Sequence, residues 1–352
     1  SANNQVLDTL EHELNRWVPK AGPEFLEARE GALWLGGQRW KAHGVNYMPS
    51  SGIGVASDSF EYWLGRGAYD PEVIERDLRR IQGMGLNAVS VFVYHRDLRA
   101  QHLLDLLFRC ARLGLKVNLS LRPGTPMEFR WAEMRALIEH YQLARNDTVI
   151  AYDLAWEPSH YDERYQQRHY ASAWNQWLRR RYGSIAKAVE AWGEQKAEPR
   201  PSTPGAQDTA DAPVPPMAQL TRDGPWRKRV ADYRAFLDQL LGEKYAEARR
   251  LVRSIDPHHL VSFRMQHAGD PTHNAEGMLP YDFYGLRDAV DIWEPEAYGR
   301  IGDWQQVKPG HFTAAYARLC DPAKPLVWAE MGYSVWDSNR GGPDPDKLEF
   351  AA

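Results

Sequence analysis

Apolar runs and helical stripes alternate along most of this chain. The stretch EFLEAREGALWLGGQRWKAHGVNYMPS (24–50) predicts a short hairpin turning at Gly36-Gly37 and then a strand over 41–48 that ends at Pro49. Asp70-Pro71 offers an N-cap and a proline at the first helical position, and Ile74, Leu78 and Ile81 recur on one face of the helix that follows, closed by Gly85. Strand NAVSVFV (87–93) comes next. The rhythm repeats as a helix over 99–113 with Leu103, Leu107 and Cys110 on one face, strand KVNLSL (116–121), a helix over 129–144 and strand VIAYDLAW (149–156). Further on, LVSFRMQ (260–266), DIWEPEAY (291–298) and PLVWAEM (325–331) read as three more strands. These are near-continuous apolar runs rather than alternating ones, the pattern of a parallel sheet buried on both faces.

Regular strand–helix alternation predicts an α/β fold, a (β/α)8 TIM barrel occupying 24–352 as one domain after an N-terminal helical segment over 1–23. Between the fourth and fifth strands the spacing widens, which predicts an insertion over 160–225 at the end of the barrel where loops carry specificity. Residues 169–193 carry a helical pattern, the Pro/Ala/Ser/Thr-rich segment 197–217 reads as an irregular loop, and 226–255 reads as a long helix. The strand count reaches seven, and DPDKLEFAA (344–352) reads as the first turns of a helix. On this reading the eighth β/α unit is missing from this chain, and an open barrel would expose strand edges.

Composition narrows the partners. With 43 basic and 47 acidic residues the net charge is −4, so no basic field argues for nucleic acid and a neutral partner is accommodated most easily. Cys110 and Cys320 are too few for a disulfide framework or a thiolate metal site, and both fit as small buried residues on helices. The first 20 residues have neither a basic start nor a continuous apolar stretch, and no run reaches the length of a membrane span. The chain as given therefore reads as soluble; its compartment stays open, because a signal peptide is removed on maturation. The 14 Trp and 17 Tyr suit the apolar faces of sugars and equally the layer between barrel and helices.

Two glutamates carry the chemical signal. Glu157 in AYDLAWEPSH and Glu330 in KPLVWAEMGYS each end an apolar run, and a Pro or Gly follows within two residues. Barrels deliver functional side chains from the C-terminal ends of their strands, and two carboxylates facing one another are the minimum equipment for glycoside hydrolysis. One strand-end Glu alone is as readily a partly buried acid satisfied by an Arg or a backbone amide; two in matching settings favour chemistry. In strand six, period-two alternation puts Glu294, Glu296 and Tyr298 on one side, where a glutamate would bind a sugar hydroxyl, serve as an alternative acid, or make a solvent-side salt bridge. Arg122 and Arg264, at the ends of strands three and five, suit either the orientation of a carboxylate or an ordinary rim ion pair. His43, His95, His160, His258, His259 and His267 fall near strands or loops, but no HxH or HExxH pattern is present, and surface or hydrogen-bonding roles are favoured over metal. GIGVAS (52–57) lacks the lysine of a phosphate-binding loop.

These pieces resemble clan A of the glycoside hydrolases, of the family 5 and family 42 type, whose (β/α)8 barrels place an acid/base after the fourth strand and a nucleophile after the seventh. The resemblance rests on the hairpin leading to GVNY (44–47), DLRRIQGMGLNAVSVF (77–92), Glu157-Pro158, Tyr298 and KPLVWAEMG (324–332); WNQWLRRRYGSIAKAVEAWG (174–193) is similar to the insertion of family 42 β-galactosidases. It implies a retaining β-glycoside hydrolase needing no cofactor, with Glu157 as general acid/base, Glu330 as nucleophile and Tyr298 as a hydrogen-bond donor to Glu330. Asn46 and Tyr47 would stand on the substrate rim, and Arg122, Trp156, Arg264, Glu296 and Trp328 complete the expected substrate contacts. Two positions depart from the clan: Trp156 stands where most members have the Asn that binds the sugar 2-hydroxyl, and Ser90 where many have Arg. Indole can only donate a hydrogen bond, so the first departure also admits a carbohydrate-binding barrel without catalysis.

Overall fold

The computed structural model describes residues 15–49, 62–93, 98–121, 129–158, 160, 162–193, 211–266, 268, 282–298, 304–332, 336–337 and 342–343. The first strands, β1 (Glu27–Arg29), β2 (Ala32–Leu35) and β3 (Gln38–Trp40), form a separate antiparallel sheet. The expected turn at Gly36-Gly37 joins β2 to β3, and a second turn at Glu30-Gly31 adds β1. Gly31 N–H donates to Ala323 O at 2.8 Å, which docks this trio on the barrel. The expected helix over 1–23 is not seen in its described part: residues 15–23 carry no helix, and 1–14 lie outside the described residues.

The barrel strands follow as β4 (Gly44–Asn46), β5 (Ala88–Phe92), β6 (Lys116–Ser120), β7 (Val149–Asp153) and β8 (Leu260–Ser262), parallel and in chain order. Gly44 is required there, because a Cβ at that position would stand 2.2 Å from Ala88 O on the neighbouring strand. Two further strands continue the order. Asp291 N–H donates to Val261 O at 2.8 Å and Glu296 N–H to Gln266 O at 2.7 Å, laying segment 291–298, with β9 (Glu296–Tyr298), beside the extension of β8. Trp293 N–H donates to Pro325 O at 2.9 Å, and β10 (Glu330–Gly332) pairs parallel with β9, Glu330 opposite Glu296. Seven strands thus stand side by side in sequence order, as the apolar runs predict.

Outside them lie α1 (Pro71–Gly83), α2 (Ala100–Arg112), α3 (Trp131–His140) and α10 (Trp304–Cys320). Asp70 caps α1 by accepting from the N–H groups of Glu72 and Val73, both at 3.1 Å, and Ile74, Leu78 and Ile81 are buried against the sheet. Cys110 and Cys320 are buried on α2 and α10, as expected of small apolar residues.

Between β7 and β8 the chain forms α4 (Glu163–His169), α5 (Ala171–Tyr182), α6 (Ile185–Trp192), α7 (Met217–Leu220) and α8 (Arg227–Arg253). Gly183 at φ +84° ends α5 and Ser184 caps α6, so the helical stretch expected over 169–193 is broken in two. A second apolar core gathers here around Trp174, whose ring lies 5.5 Å from Trp177 and 5.1 Å from Tyr233. At 27 residues, α8 spans roughly 40 Å, enough to serve both cores. Its first half gives Val230, Tyr233, Phe236 and Leu237 to the helical one, and its second half gives Leu241, Tyr245, Ala248 and Val252 to the barrel. A short hairpin of β11 (Trp336–Asp337) and β12 (Gly342–Pro343) comes after β10, between α9 (Phe283–Leu286) and α10 on one side and the chain end on the other in sequence order. The expected loop at 197–210 and the helix at 344–352 lie outside the described residues, while 211–216 is irregular as expected. Among the described residues no helix is long and apolar enough to cross a membrane.

Candidate active site

At the C-terminal ends of these strands the backbone leaves the ladder and side chains of the sequence-predicted site converge. After β7 the chain runs through Ala155 and Trp156 to Glu157, whose φ of +46° is left-handed. A non-glycine residue held there costs about 1–3 kcal/mol, so the surrounding contacts must fix it. One of them is Gln266, itself at φ +49°, whose Nε2 donates to Glu157 O at 3.2 Å. Glu330 opens β10 and is buried, as is Glu296 opposite it on β9. Carboxylate oxygens of Glu157, Glu296 and Glu330 all lie within 4.8 Å of one another.

Arg264 stands beneath this trio with no solvent exposure. Its Nε donates to Asp153 Oδ2 at 2.8 Å, its Nη1 to Glu330 Oε1, and its Nη2 to Asn46 Oδ1 at 3.1 Å and Ser90 Oγ at 2.5 Å. The guanidinium also lies 4.5 Å from the centre of the Phe92 ring, which Trp156 covers at 4.8 Å. Three of the chain's expectations change here. Arg264 is a buried ion-pair partner of Glu330 and does not stand on the substrate rim. It also meets Ser90 on β5. Tyr47 is buried too, its ring edge-on to Trp63 at 5.5 Å and its hydroxyl donating to Asp77 Oδ2 on α1 at 3.4 Å. β4 ends at Asn46, and Tyr47 turns into the layer between strands and helices. Trp328 does likewise: its ring edge comes 3.8 Å from where a Cβ on Gly310 of α10 would stand.

Asn46 does reach the cluster, and Trp156 is half-buried beside it. Tyr298 pairs through its backbone with Gly332, while its side chain, like all of Arg122, lies outside the described residues. Glu294 and Glu296 are both buried, so the solvent-side salt bridge considered for strand six does not form; Asn118 Nδ2 donates to Glu294 Oε1 at 3.0 Å.

Charge explains the protonation of this interior. Among the described residues Asp153, Glu294, Glu296 and Glu330 are buried around one guanidinium, and a low-dielectric site cannot keep four carboxylates ionised against a single cation. Burial, its hydrogen bond with Glu157 and the charges of Glu157 and Glu330 push the Glu296 carboxyl up to about 10. Burial and the Asp153 charge push Glu294 up to about 8, while burial, opposed by Arg264, leaves Asp153 at about 6. The three clustered oxygens have the spacing a cation would need, but Arg264 already supplies positive charge to Glu330, and the set does not argue for a metal.

Sequence reasoning overlooked Asp153, Asn118 and Gln266. An Asp closing the apolar run VIAYD was the available signal for the first; Asn118 sits in β6 and Gln266 in a turn beyond β8, with nothing in the sequence to mark either. The histidines behave as favoured: His258 stacks on Phe25 at 4.4 Å, and His259 is buried with Nδ1 2.7 Å from Asp256 and Nε2 3.0 Å from Asn146 O. His160 is buried, and His95 and His267 lie outside the described residues.

With this geometry in view, known proteins give a consistent comparison. No family model matches the chain. A β-galactosidase of Bifidobacterium bifidum, BbgII, is 24% identical over 340 residues, covering 89% of this chain and 46% of that protein. The crystal structure of a β-galactosidase from the psychrophilic Marinomonas ef1 superposes with a TM-score of 0.52 at 14% identity, over 88% of this chain and 51% of that one. An endo-1,4-β-mannanase from Eisenia fetida follows at a TM-score of 0.45 and 14% identity, over 91% of both chains. The chain spans about half the length of the two β-galactosidases it matches. Its fold is that of the β-galactosidase barrel, which is what the resemblance to clan A implies.

Proposed function

We propose that the protein is a retaining β-glycoside hydrolase, acting on β-linked oligo- or polysaccharide by double displacement. The observation that carries this reading is the approach of Glu157 and Glu330 to within 4.8 Å at the strand ends, close to the ~5–5.5 Å carboxyl separation of retaining enzymes. Arg264 holds Glu330 as a carboxylate, the form a nucleophile needs, and Glu157, half-buried on the loop after β7, stands where it can protonate the leaving oxygen. Glu330 attacks the anomeric carbon as the glycosidic bond breaks; water then displaces Glu330 with Glu157 acting as base. Tyr298 would donate to Glu330, and Asn46 and Trp156 would line the sugar. The similarity to two β-galactosidases supports a carbohydrate substrate. In the same reading residues 160–225, with α4–α7, form an insertion after the fourth strand of a single barrel domain.

The test is hydrolysis of a panel of aryl β-glycosides and polysaccharides, with the anomer released followed by NMR. Glu157→Gln and Glu330→Gln should each lower turnover by about three orders of magnitude or more with an unchanged melting temperature. Full activity in either folded variant would sink the assignment. A second reading, a carbohydrate-binding barrel without catalysis, draws on Trp156 in the place of the clan's Asn; binding of sugar with no hydrolysis of any panel member would establish it.

A further inference from the structure

Glu296 is a third carboxyl at a centre whose chemistry requires two. It is 4% exposed, and its carboxyl is hydrogen bonded to that of Glu157. A hydrogen bond between two carboxyl groups requires a proton on one of them. The backbone holds the two together: Glu296 N–H donates to Gln266 O at 2.7 Å, and the Gln266 side chain donates to Glu157 O at 3.2 Å. Gln266 therefore bridges the loop carrying one glutamate and the strand carrying the other. The charged groups facing Glu296 among the described residues are Glu157 from the loop after β7, Glu330 from β10, and Arg264 from the extension of β8, with Glu294 two residues back on its own segment. Arg264 directs these hydrogen bonds to Asp153, Glu330, Asn46 and Ser90, so among the described residues no guanidinium hydrogen bond is directed to the Glu157–Glu296 pair.

We propose that Glu296 is a positioning residue that shares one proton with Glu157, so that the acid of this site is a carboxyl pair rather than a single glutamate. The inference rests on the glycosidase reading above and adds to it how the acid stays loaded. The charge count closes. Before reaction the pair bears one negative charge and Glu330 another. As Glu157 gives its proton to the leaving oxygen, which keeps the electron pair of the broken C–O bond, Glu330 loses its charge by forming the ester. The total stays at two negative charges while the pair becomes doubly ionised. Attack of water on the glycosyl carbon returns a proton to the pair and frees Glu330 as a carboxylate. Burial and the neighbouring charges both oppose ionising the pair while Glu330 is charged, in line with the strongly raised Glu296 carboxyl.

Two measurements on the intact protein test this. In a pH titration of 13Cδ-glutamate signals by NMR, one carboxyl of the pair should still be titrating above pH 7, and that signal should vanish in Glu296→Gln and move toward acid in Glu157→Gln. Glu294 gives a separate high-titrating signal, identified by its loss in Glu294→Gln. In the pH profile of kcat/KM, Glu296→Gln should move the alkaline limb about one pH unit or more toward acid, about a tenfold loss one unit above the new limb, because an amide donor favours the ionised form of Glu157. The proposal is overturned if no signal beyond that of Glu294 titrates above pH 7, if the signal survives in Glu296→Gln or keeps its place in Glu157→Gln, or if the limb stays in place. Should Glu296→Gln not fold, Glu157→Gln, on the half-buried partner, still decides the NMR result. A shared proton without hydrolysis would refute the glycosidase reading alone; hydrolysis without a shared proton would refute this inference alone.

Discussion

The two ends of segment 291–298 hold acids under opposite regimes. At its start, Asp291 accepts from Arg249 Nε at 2.9 Å and Nη2 at 2.6 Å, from Arg253 Nη2 at 2.7 Å and from Val261 N–H at 2.8 Å. At its end, the single guanidinium of Arg264 serves Asp153 and Glu330 while Glu294 and Glu296 crowd the same interior. Donors exceed acids at the first site, so the carboxylate is fully satisfied and acts as a staple between α8, β8 and the sixth strand. Acids exceed donors at the second, so protons remain in the site and can be moved. Excess of donor builds structure; shortage of donor leaves groups whose protonation responds to what binds beside them.

The contrast can be broken most severely at Arg264. Arg264→Met should lower stability by about 3–5 kcal/mol in urea unfolding, since it leaves buried acids without a cation, and should abolish turnover in whatever folds. A loss below about 1 kcal/mol would show that the acids are neutral without it. Asp291→Asn should cost less, about 1–3 kcal/mol, because the amide keeps one acceptor for the two arginines, and the activity per folded molecule should not change. A selective loss of activity there would erase the distinction between the two ends.

The pH dependence of stability sharpens the comparison further. Glu294 titrates near 4.5 when unfolded and at about 8 when folded, so between those values the folded state binds the extra proton and stability falls as pH rises. Glu294→Gln should flatten the decline of melting temperature between pH 5 and pH 8 and raise it by about 2–4 °C at pH 8 relative to the native chain. An unchanged slope would mean that Glu294 is ionised in the fold. The smallest effect is expected at Arg253→Met, about 1 kcal/mol or less by urea unfolding, because Arg249 still holds Asp291 and Arg253 is partly exposed.

Much of the architecture was legible in the apolar runs. β5, β7 and β8 fall within the continuous apolar stretches that predict them, because a strand buried on both faces needs apolar residues at every position, whereas β4, β9 and β10 are three-residue strands inside or at the edge of the longer runs expected for them. The cap at Asp70 and the stripe of Ile74, Leu78 and Ile81 identified α1 to within a few residues. Period two correctly put Glu294 and Glu296 on one side, but a period cannot say whether that side meets solvent or the barrel interior. Tyr47 follows Asn46 directly, and only the point at which β4 stops decides that Asn46 meets Arg264 while Tyr47 packs on α1. The abundant tryptophans resolve in the same way: Trp63, Trp174 and Trp293 are wholly buried in apolar cores, an outcome that composition leaves open.

The strand-forming runs, the helices of the first four crossovers and the two candidate glutamates near strand ends were set by the sequence alone, since each depends on neighbours a few positions away. What the tertiary structure decided is which charges meet. Arg264 reaches Ser90, 174 positions earlier, and Glu330, 66 positions later, because parallel strands laid side by side bring distant strand ends together around one interior. Proton occupancy there depends on burial and on the sum of all nearby charges, quantities that exist only once the chain has folded.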